Sequence, residues 1–179
     1  MQSPSRTILI GGTLAAALTA PVVAAAAPAT MDVTITIPQL KVAEYHRPYV
    51  AIWIEDASGK VAANLSVWYD VDLKDSEGEK WLKDIRQWWR RTGRTLDMPM
   101  DGVSSPTKAP GVNKVTFQSD KGALASLAPG DYKLIVEATR EVGGKELVEV
   151  PFKWAPGTEA TASAKGKEEL GAITLKLTK

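Results

Sequence analysis

Cysteine is absent from the 179 residues, which removes disulfides, thiolate metal sites, covalently attached c-type haem and a lipoprotein anchor from the functions open to this chain. Histidine occurs once, at His46, so neither a His–His metal pair nor a serine–histidine arrangement of the usual kind can be built. A lone histidine at the entrance to a strand ordinarily sits in solvent or in a hydrogen bond; the sharper alternative is an axial haem ligand paired with Met98 or Met100. Excess charge is also missing. Lys and Arg number 22 against 21 Asp and Glu, a formal net charge of +1, which argues against general nucleic-acid binding and makes any electrostatic function local. No pair of carboxylates is set apart in an apolar context, which argues against an independent hydrolytic enzyme. Asp70, Asp72 and Asp75 lack the glycine and distal Glu of a calcium loop and read as a solvated turn.

Long apolar runs are confined to the beginning of the chain. Arg6 precedes ILIGGTLAAALTAPVVAAAA, which carries no charge and ends in small residues, the pattern of a secretory signal peptide. Cleavage after Ala26 satisfies the small-x-small rule at Ala24–Ala26 and keeps Pro28 away from the scissile bond. An uncleaved signal anchor is the alternative, weakened by Pro21 and the many alanines. The mature chain, residues 27–179, has about 153 residues, enough for one domain with its own core, and contains no further candidate transmembrane segment. Export to the periplasm is the expected destination.

What remains is rich in alternation. MDVTITI (Met31 to Ile37) reads as a half-buried strand, and RPYVAIWIED (Arg47 to Asp56) is apolar on both faces, as a central strand is. Asp56-Ala57-Ser58-Gly59-Lys60 is a turn by composition and leads into VAANLSVWYD (Val61 to Asp70), completing a hairpin. VNKVTFQ, YKLIVEATREV, KELVEVPFKW and AITLKLT supply further strands, with Gly143-Gly144 turning the third of these from the second. Ala155 to Gly171 reads as a connection rich in Gly, Ala and Lys. Pro129-Gly130-Asp131-Tyr132 resembles the tyrosine corner of immunoglobulin-like domains. The expectation is a mainly β protein, an immunoglobulin-like antiparallel sandwich of about seven strands with one inserted amphipathic helix.

That helix is expected over about residues 77–92, followed by a loop over 95–111. Ser76 and Glu79 have the spacing of a capping box, and Trp81, Leu82, Ile85, Trp88 and Trp89 recur at helical spacing as one apolar face. Two readings follow. The helix caps an open end of the sandwich, its tryptophans serving as core, or Trp88 or Trp89 with Arg90, Arg91 and Arg94 forms a platform for a planar anionic group. One tryptophan can be buried while its neighbour stands at the rim.

The segments HRPYVAIWIED (His46 to Asp56), WLKDIRQWWR (Trp81 to Arg90) and APGDYKLIVEATREVGGKELVEVPFKW (Ala128 to Trp154) together resemble the exported DUF2271 proteins of bacteria, a family of unknown function. Association of that family with flavin transferases and PepSY-type membrane reductases implies extracytoplasmic redox work with these as partners. A second, local resemblance adds chemistry. Asp101-Gly102-Val103-Ser104-Ser105-Pro106-Thr107 looks like the D-x-x-[S/T]-G-A-T motif on which exported flavin transferases attach FMN through a phosphoester. By that resemblance Thr107 is the linked residue, with Asp101 and Ser104 read by the transferase; Ser105 and Pro106 stand where Gly and Ala are usual, and Pro106 restricts Ser105 to extended backbone. The resemblance implies an exported redox accessory or electron-transfer protein bearing covalent FMN, with Trp88, Trp89, Arg90 and Arg91 beside the flavin. The alternative is a cofactor-free binding module that docks a membrane partner through its Trp/Arg surface.

Overall fold

A computed structural model describes residues 29–179; the expected signal peptide and its cleavage site lie outside the described residues. Strict alternation produces β1 (Thr30–Ile37), where Met31, Val33, Ile35 and Ile37 are buried and the intervening residues stay partly exposed. It is followed by β2 (Tyr49–Asp56), β3 (Val61–Tyr69), β4 (Ser104–Pro106), β5 (Gly111–Gln118), β6 (Gly130–Thr139), β7 (Lys145–Trp154), β8 (Ala160–Lys165) and β9 (Ala172–Thr178). Four strands form one sheet in the order β5-β1-β9-β8, and five form the other in the order β4-β3-β2-β6-β7.

The two sheets face each other across one apolar core. Val33, Ile35, Ile173 and Leu175 from the first sheet meet Val50, Ile52, Leu134, Val136 and Val150 from the second. Each such side chain, fully withdrawn from water, contributes roughly 1.5–3 kcal/mol before the entropy of ordering is subtracted. The result is the mainly β sandwich expected from the alternation. The immunoglobulin-like corner is present as well: the Tyr132 hydroxyl donates to the Ala128 carbonyl at 2.8 Å and fixes the approach to β6.

Three details differ from the sequence-based expectation. There are nine strands rather than about seven among the described residues. β8 lies in what reads as a connection because its inward residues, Ala162 and Ala164, are too small to signal a strand. β4 lies inside the expected loop and pairs parallel to β3, with Val67, Trp68 and Tyr69 opposite Ser104, Ser105 and Pro106, so the second sheet is not wholly antiparallel. Pro106 is tolerated there because β4 is an edge strand, and Ser105 before it is extended, as a residue preceding proline prefers.

The helical segment departs most. Asp75 and Ser76 have positive φ, 55° and 54°, so Ser76 caps no helix; residues Lys74–Asp84 form 3-10 turns, and Ile85 breaks them from the only α-helical stretch among the described residues, α1 (Arg86–Arg91). This layer does not cap an end of the sandwich. It covers the outer face of the five-stranded sheet, where Leu82, Ile85 and Trp88 bury Tyr49, Ala51, Trp53 and Ile135. The helix start is capped from the sheet instead: Glu137 on β6 accepts the Gln87 N–H at 2.9 Å and the Trp88 N–H at 2.8 Å. Trp88 then donates its indole N–H to Asn64 Oδ1 at 3.0 Å, and Gly93 lies flat against its ring.

Burial raises the pKa of Glu137 above the ordinary 4.5, while the N–H groups of Gln87 and Trp88 and the charge of Lys145 oppose the rise. Between 4.5 and the elevated value the folded chain holds more protons at this position than the unfolded chain, so this residue's contribution to stability falls as pH rises through that window. Glu137→Gln is expected to remove that part of the slope, seen as a wild-type-minus-variant difference in urea unfolding free energy that decreases from pH 4.5 upward. Gly93→Ala places a methyl group 2.5 Å from the Trp88 ring, and a loss of about 1–3 kcal/mol on urea unfolding is expected.

Candidate functional site

The cavity of about 720 Å³ lies where the helical cover ends. Tyr45, His46 and Arg47 lead into β2 along one side, with Tyr49 as the first residue of the strand itself. Leu73, Trp81 and Asp84 from the cover form a second side; Asp70 at the exit of β3 and Thr107 just beyond β4 form a third. The end of β6 and its hairpin to β7 close the fourth, through Thr139, Arg140, Val142, Gly143 and Lys145.

At the β3 side, Asp70 is held by two hydroxyls. Thr107 Oγ1 donates to its Oδ1 at 3.2 Å and the Tyr49 hydroxyl to its Oδ2 at 3.4 Å. Burial, with the negative charge of Asp70 adding to it, pushes the Tyr49 phenol up to about 12, so Tyr49 remains a donor at any physiological pH. Asp70 itself is fixed because Gly78 of the cover packs directly on its carbonyl, leaving no room for a Cβ.

At the hairpin side, Arg140 is 8% exposed and Glu169 4%. Arg140 Nε and Nη2 each donate to Glu169 at 3.0 Å, a two-pronged pair, and the Gly144 N–H donates to the same carboxylate at 2.8 Å. The carboxylate holds the Arg140 pKa above its usual value. The Gly143 backbone lies against one side of the guanidinium, and the Tyr45 ring stands 6.0 Å from it. Two polar atoms in this wall, Arg140 Nη1 and the Tyr45 hydroxyl, are buried without a protein partner. His46 bonds Glu44 at 2.9 Å and faces Glu141 at 3.5 Å, while Met98 and Met100 pack on the apolar cluster beneath the cover.

The residues singled out by sequence are divided. Thr107 lines the cavity, whereas Asp101 lies at a separate surface hollow with Val103 and Lys121. Ser104 turns its hydroxyl to the loop, accepting the Met100 N–H at 2.9 Å. Trp88 is fully buried, and Arg91 bonds Gly59 O at 2.7 Å and Glu55 at 3.2 Å, so neither forms an open platform. Trp89 is half-buried beside Trp88 and Arg90 turns back to the Arg86 carbonyl at 3.3 Å; none of these four lines the cavity. The aromatic and cationic groups that do line it, Tyr45, Arg47, Tyr49, Trp81, Arg140 and Lys145, come from three separate parts of the chain. Only the half-exposed Trp81 belongs to the stretch whose periodicity draws attention.

Residues 30–172 match the protein family described as "Predicted periplasmic protein (DUF2271)". No curated protein and no solved structure matches the chain.

Removing Glu169 strands the Arg140 cation in a dry wall and frees the Gly144 N–H. Glu169→Ala is therefore expected to cost about 3–5 kcal/mol in chemical denaturation, far more than the loss of an exposed ion pair such as Lys133–Glu149.

Proposed function

The chain belongs to the DUF2271 family, which places it in the periplasm, and from that premise we propose that it is a redox accessory carrying FMN on Thr107, with the flavin ring in the cavity beside that residue. The observation that carries this reading is the position of Thr107: the last residue of the motif-like segment has its hydroxyl at the wall of the 720 Å³ cavity. The dimensions are those of a cofactor site, which usually occupies about 300–1,000 Å³ with apolar and aromatic walls and few polar anchors. Trp81, Tyr45 and Tyr49 offer aromatic surface to a planar ring, and Arg47 and Lys145 bring positive charge to the same cavity.

Attachment forms one phosphoester. Thr107 Oγ1 bonds to the FMN phosphorus of a flavin adenine dinucleotide donor as the pyrophosphate bond breaks; AMP leaves and the hydroxyl proton passes to solvent. Asp70 holds that hydroxyl in place beforehand by accepting its hydrogen. β4 keeps the segment extended along the sheet edge, within reach of an external transferase. A bound flavin would supply one- and two-electron redox capacity; the protein's part is to hold it, shield one side with Trp81 and set the local charge. A PepSY-type membrane reductase is the electron partner this reading calls for.

Co-expression with a flavin transferase and intact-mass measurement tests it. The expected result is added mass of one FMN that disappears in Thr107→Ala. An unmodified wild-type chain, or added mass that survives the substitution, overturns the reading and leaves a cofactor-free docking module.

A further inference from the structure

Edge strands are where a sandwich is open to other chains, because every second residue turns its N–H and C=O outward with no neighbouring strand to receive them. Three of the four edges among the described residues are closed. β4 is three residues long and ends in Pro106, and β7 and β8 lie against one another, with Pro151 interrupting β7. The remaining edge is β5, eight residues paired to β1 without a register shift and containing no proline. From Val112 to Phe117 its outward N–H and C=O groups meet no other backbone group among the described residues.

Proteins ordinarily blunt such an edge with a charge that projects over it. Lys114 is the one charged residue of β5, and it is drawn the other way, to Asp32 on β1 at 2.8 Å, where the Thr116 hydroxyl also donates at 2.6 Å. Val112 stands 73% exposed. On the inward face Val115 and Phe117 pack on the core yet remain partly exposed, as side chains without a neighbour on one side do.

The space beside β5 is shaped as well as open. The smaller sheet has four strands and the larger five; since β7 and β8 are neighbours at one side, the larger sheet reaches further at the other, past β5. A hollow of about 360 Å³ lies there, between Phe117 of β5 and Leu65 and Val103 on the side of the larger sheet, with Ala123 of the turn Gly122–Leu124 beside them. Exposed Asp101 and Lys121, opposite in sign, also border it, so its charges favour neither anion nor cation and its floor is apolar. Its lining shares no residue with the cavity beside Thr107.

We propose that the outer edge of β5 receives an extended segment of a partner protein as a fifth strand of the smaller sheet, with inward apolar side chains of that segment filling the hollow. The outward groups of Val112–Phe117 supply ladder hydrogen bonds, which a segment without proline can complete whatever its side chains, and the hollow supplies the preference for apolar residues at alternate positions. The other side of the segment lies beside Val112, Lys114 and Thr116 in water and is free to be polar. A second copy of this chain fits less well, because its own larger sheet would meet the overhang that reaches past β5.

A displayed library of random octapeptides, matched to the eight residues of β5, tests this against the chain produced without a flavin transferase. Enriched octapeptides are expected to alternate apolar and polar residues. The best of them, synthesised, is expected to shift the amide NMR signals of Val112–Phe117, Leu65 and Val103 while leaving those of Tyr45 and Trp81 in place. Methylating the peptide nitrogens that face β5 is expected to weaken binding about tenfold or more, since each lost ladder bond leaves an acceptor unsatisfied. Val115→Lys puts an inward charge on the edge and is expected to weaken binding by about tenfold or more. The proposal is overturned if no octapeptide is enriched, if the enriched ones lack the alternation or shift amides elsewhere, if methylation leaves binding unchanged, or if Val115→Lys folds and binds as well. It is also overturned if the chain alone dimerises with its β5 amides shielded, which assigns the edge to a second copy. Should Val115→Lys fail to fold, the amide map and the methylated peptide on the wild-type chain decide. Neither the probe nor the hollow involves Thr107, so the result is independent of whether FMN is attached there.

Discussion

The outer face of β2 has to be kept dry, and much of the architecture follows from that constraint. Tyr49, Ala51 and Trp53 point away from the sandwich core, yet each is buried. A two-sheet sandwich normally leaves such a face to water and lines it with polar residues. Here the chain between β3 and β4 folds back to cover it. The cover is poor helix by itself: 3-10 turns, a break at Ile85 and six residues of α-helix, too little to form without tertiary support. Its position is therefore dictated by the sheet, through the Glu137 carboxylate at the start of α1 and the Trp88–Asn64 hydrogen bond across to β3. Arg91 completes the attachment by bonding Glu55 and the turn after β2. Burying Glu137 is costly to its charged form, but the N–H groups it receives would otherwise be left unsatisfied beneath the cover.

The cavity is a consequence of the same arrangement. The cover is shorter than the sheet it protects, so the seam at the Tyr49 end of β2 is left to the residues leading into that strand, to the exit of β3 and to the β6–β7 hairpin. Segments from four parts of the chain meet there. Each brings polar groups that need partners: Asp70 finds Tyr49 and Thr107, Arg140 finds Glu169, and His46 finds Glu44. Arg140 Nη1 and the Tyr45 hydroxyl are the remainder of that matching.

Alternation made the main sheets legible in the sequence. β1, β7 and β9 place a large apolar residue at every second position, and β2 is apolar on both faces because both faces are covered. Tyr132 was legible because its corner is a local bond over four residues. β8 was not, since alanines carry little hydrophobic signal, and β4 was not, since three residues of Ser and Pro become a strand only through pairing with β3. The apolar spacing of Trp81, Leu82, Ile85, Trp88 and Trp89 marks a face that is buried at Leu82, Ile85 and Trp88 but not at Trp81, and it does not reveal the backbone that presents it. Asp75 and Ser76 in the left-handed region, and the supply of the cap by Glu137 from a distant strand, are tertiary facts.

The division among the tryptophans and arginines shows why the site was harder to read than the fold. Residues close in sequence suggest one platform, yet on a covering layer neighbouring side chains point in different directions. Trp88 faces the sheet and Trp81, seven residues earlier and across the break at Ile85, faces the cavity with 48% of its surface exposed. Arg91 is spent on holding the cover to β2, so cationic character at the cavity comes instead from Arg47 before β2, Arg140 just past β6 and Lys145 at the start of β7, in segments that carry no local signature of binding. A buried arginine tied to Glu169 looks structural in isolation. Tyr45, Gly143 and Glu169 are brought around it only by the closing of the hairpin, so no local pattern in the sequence marks it.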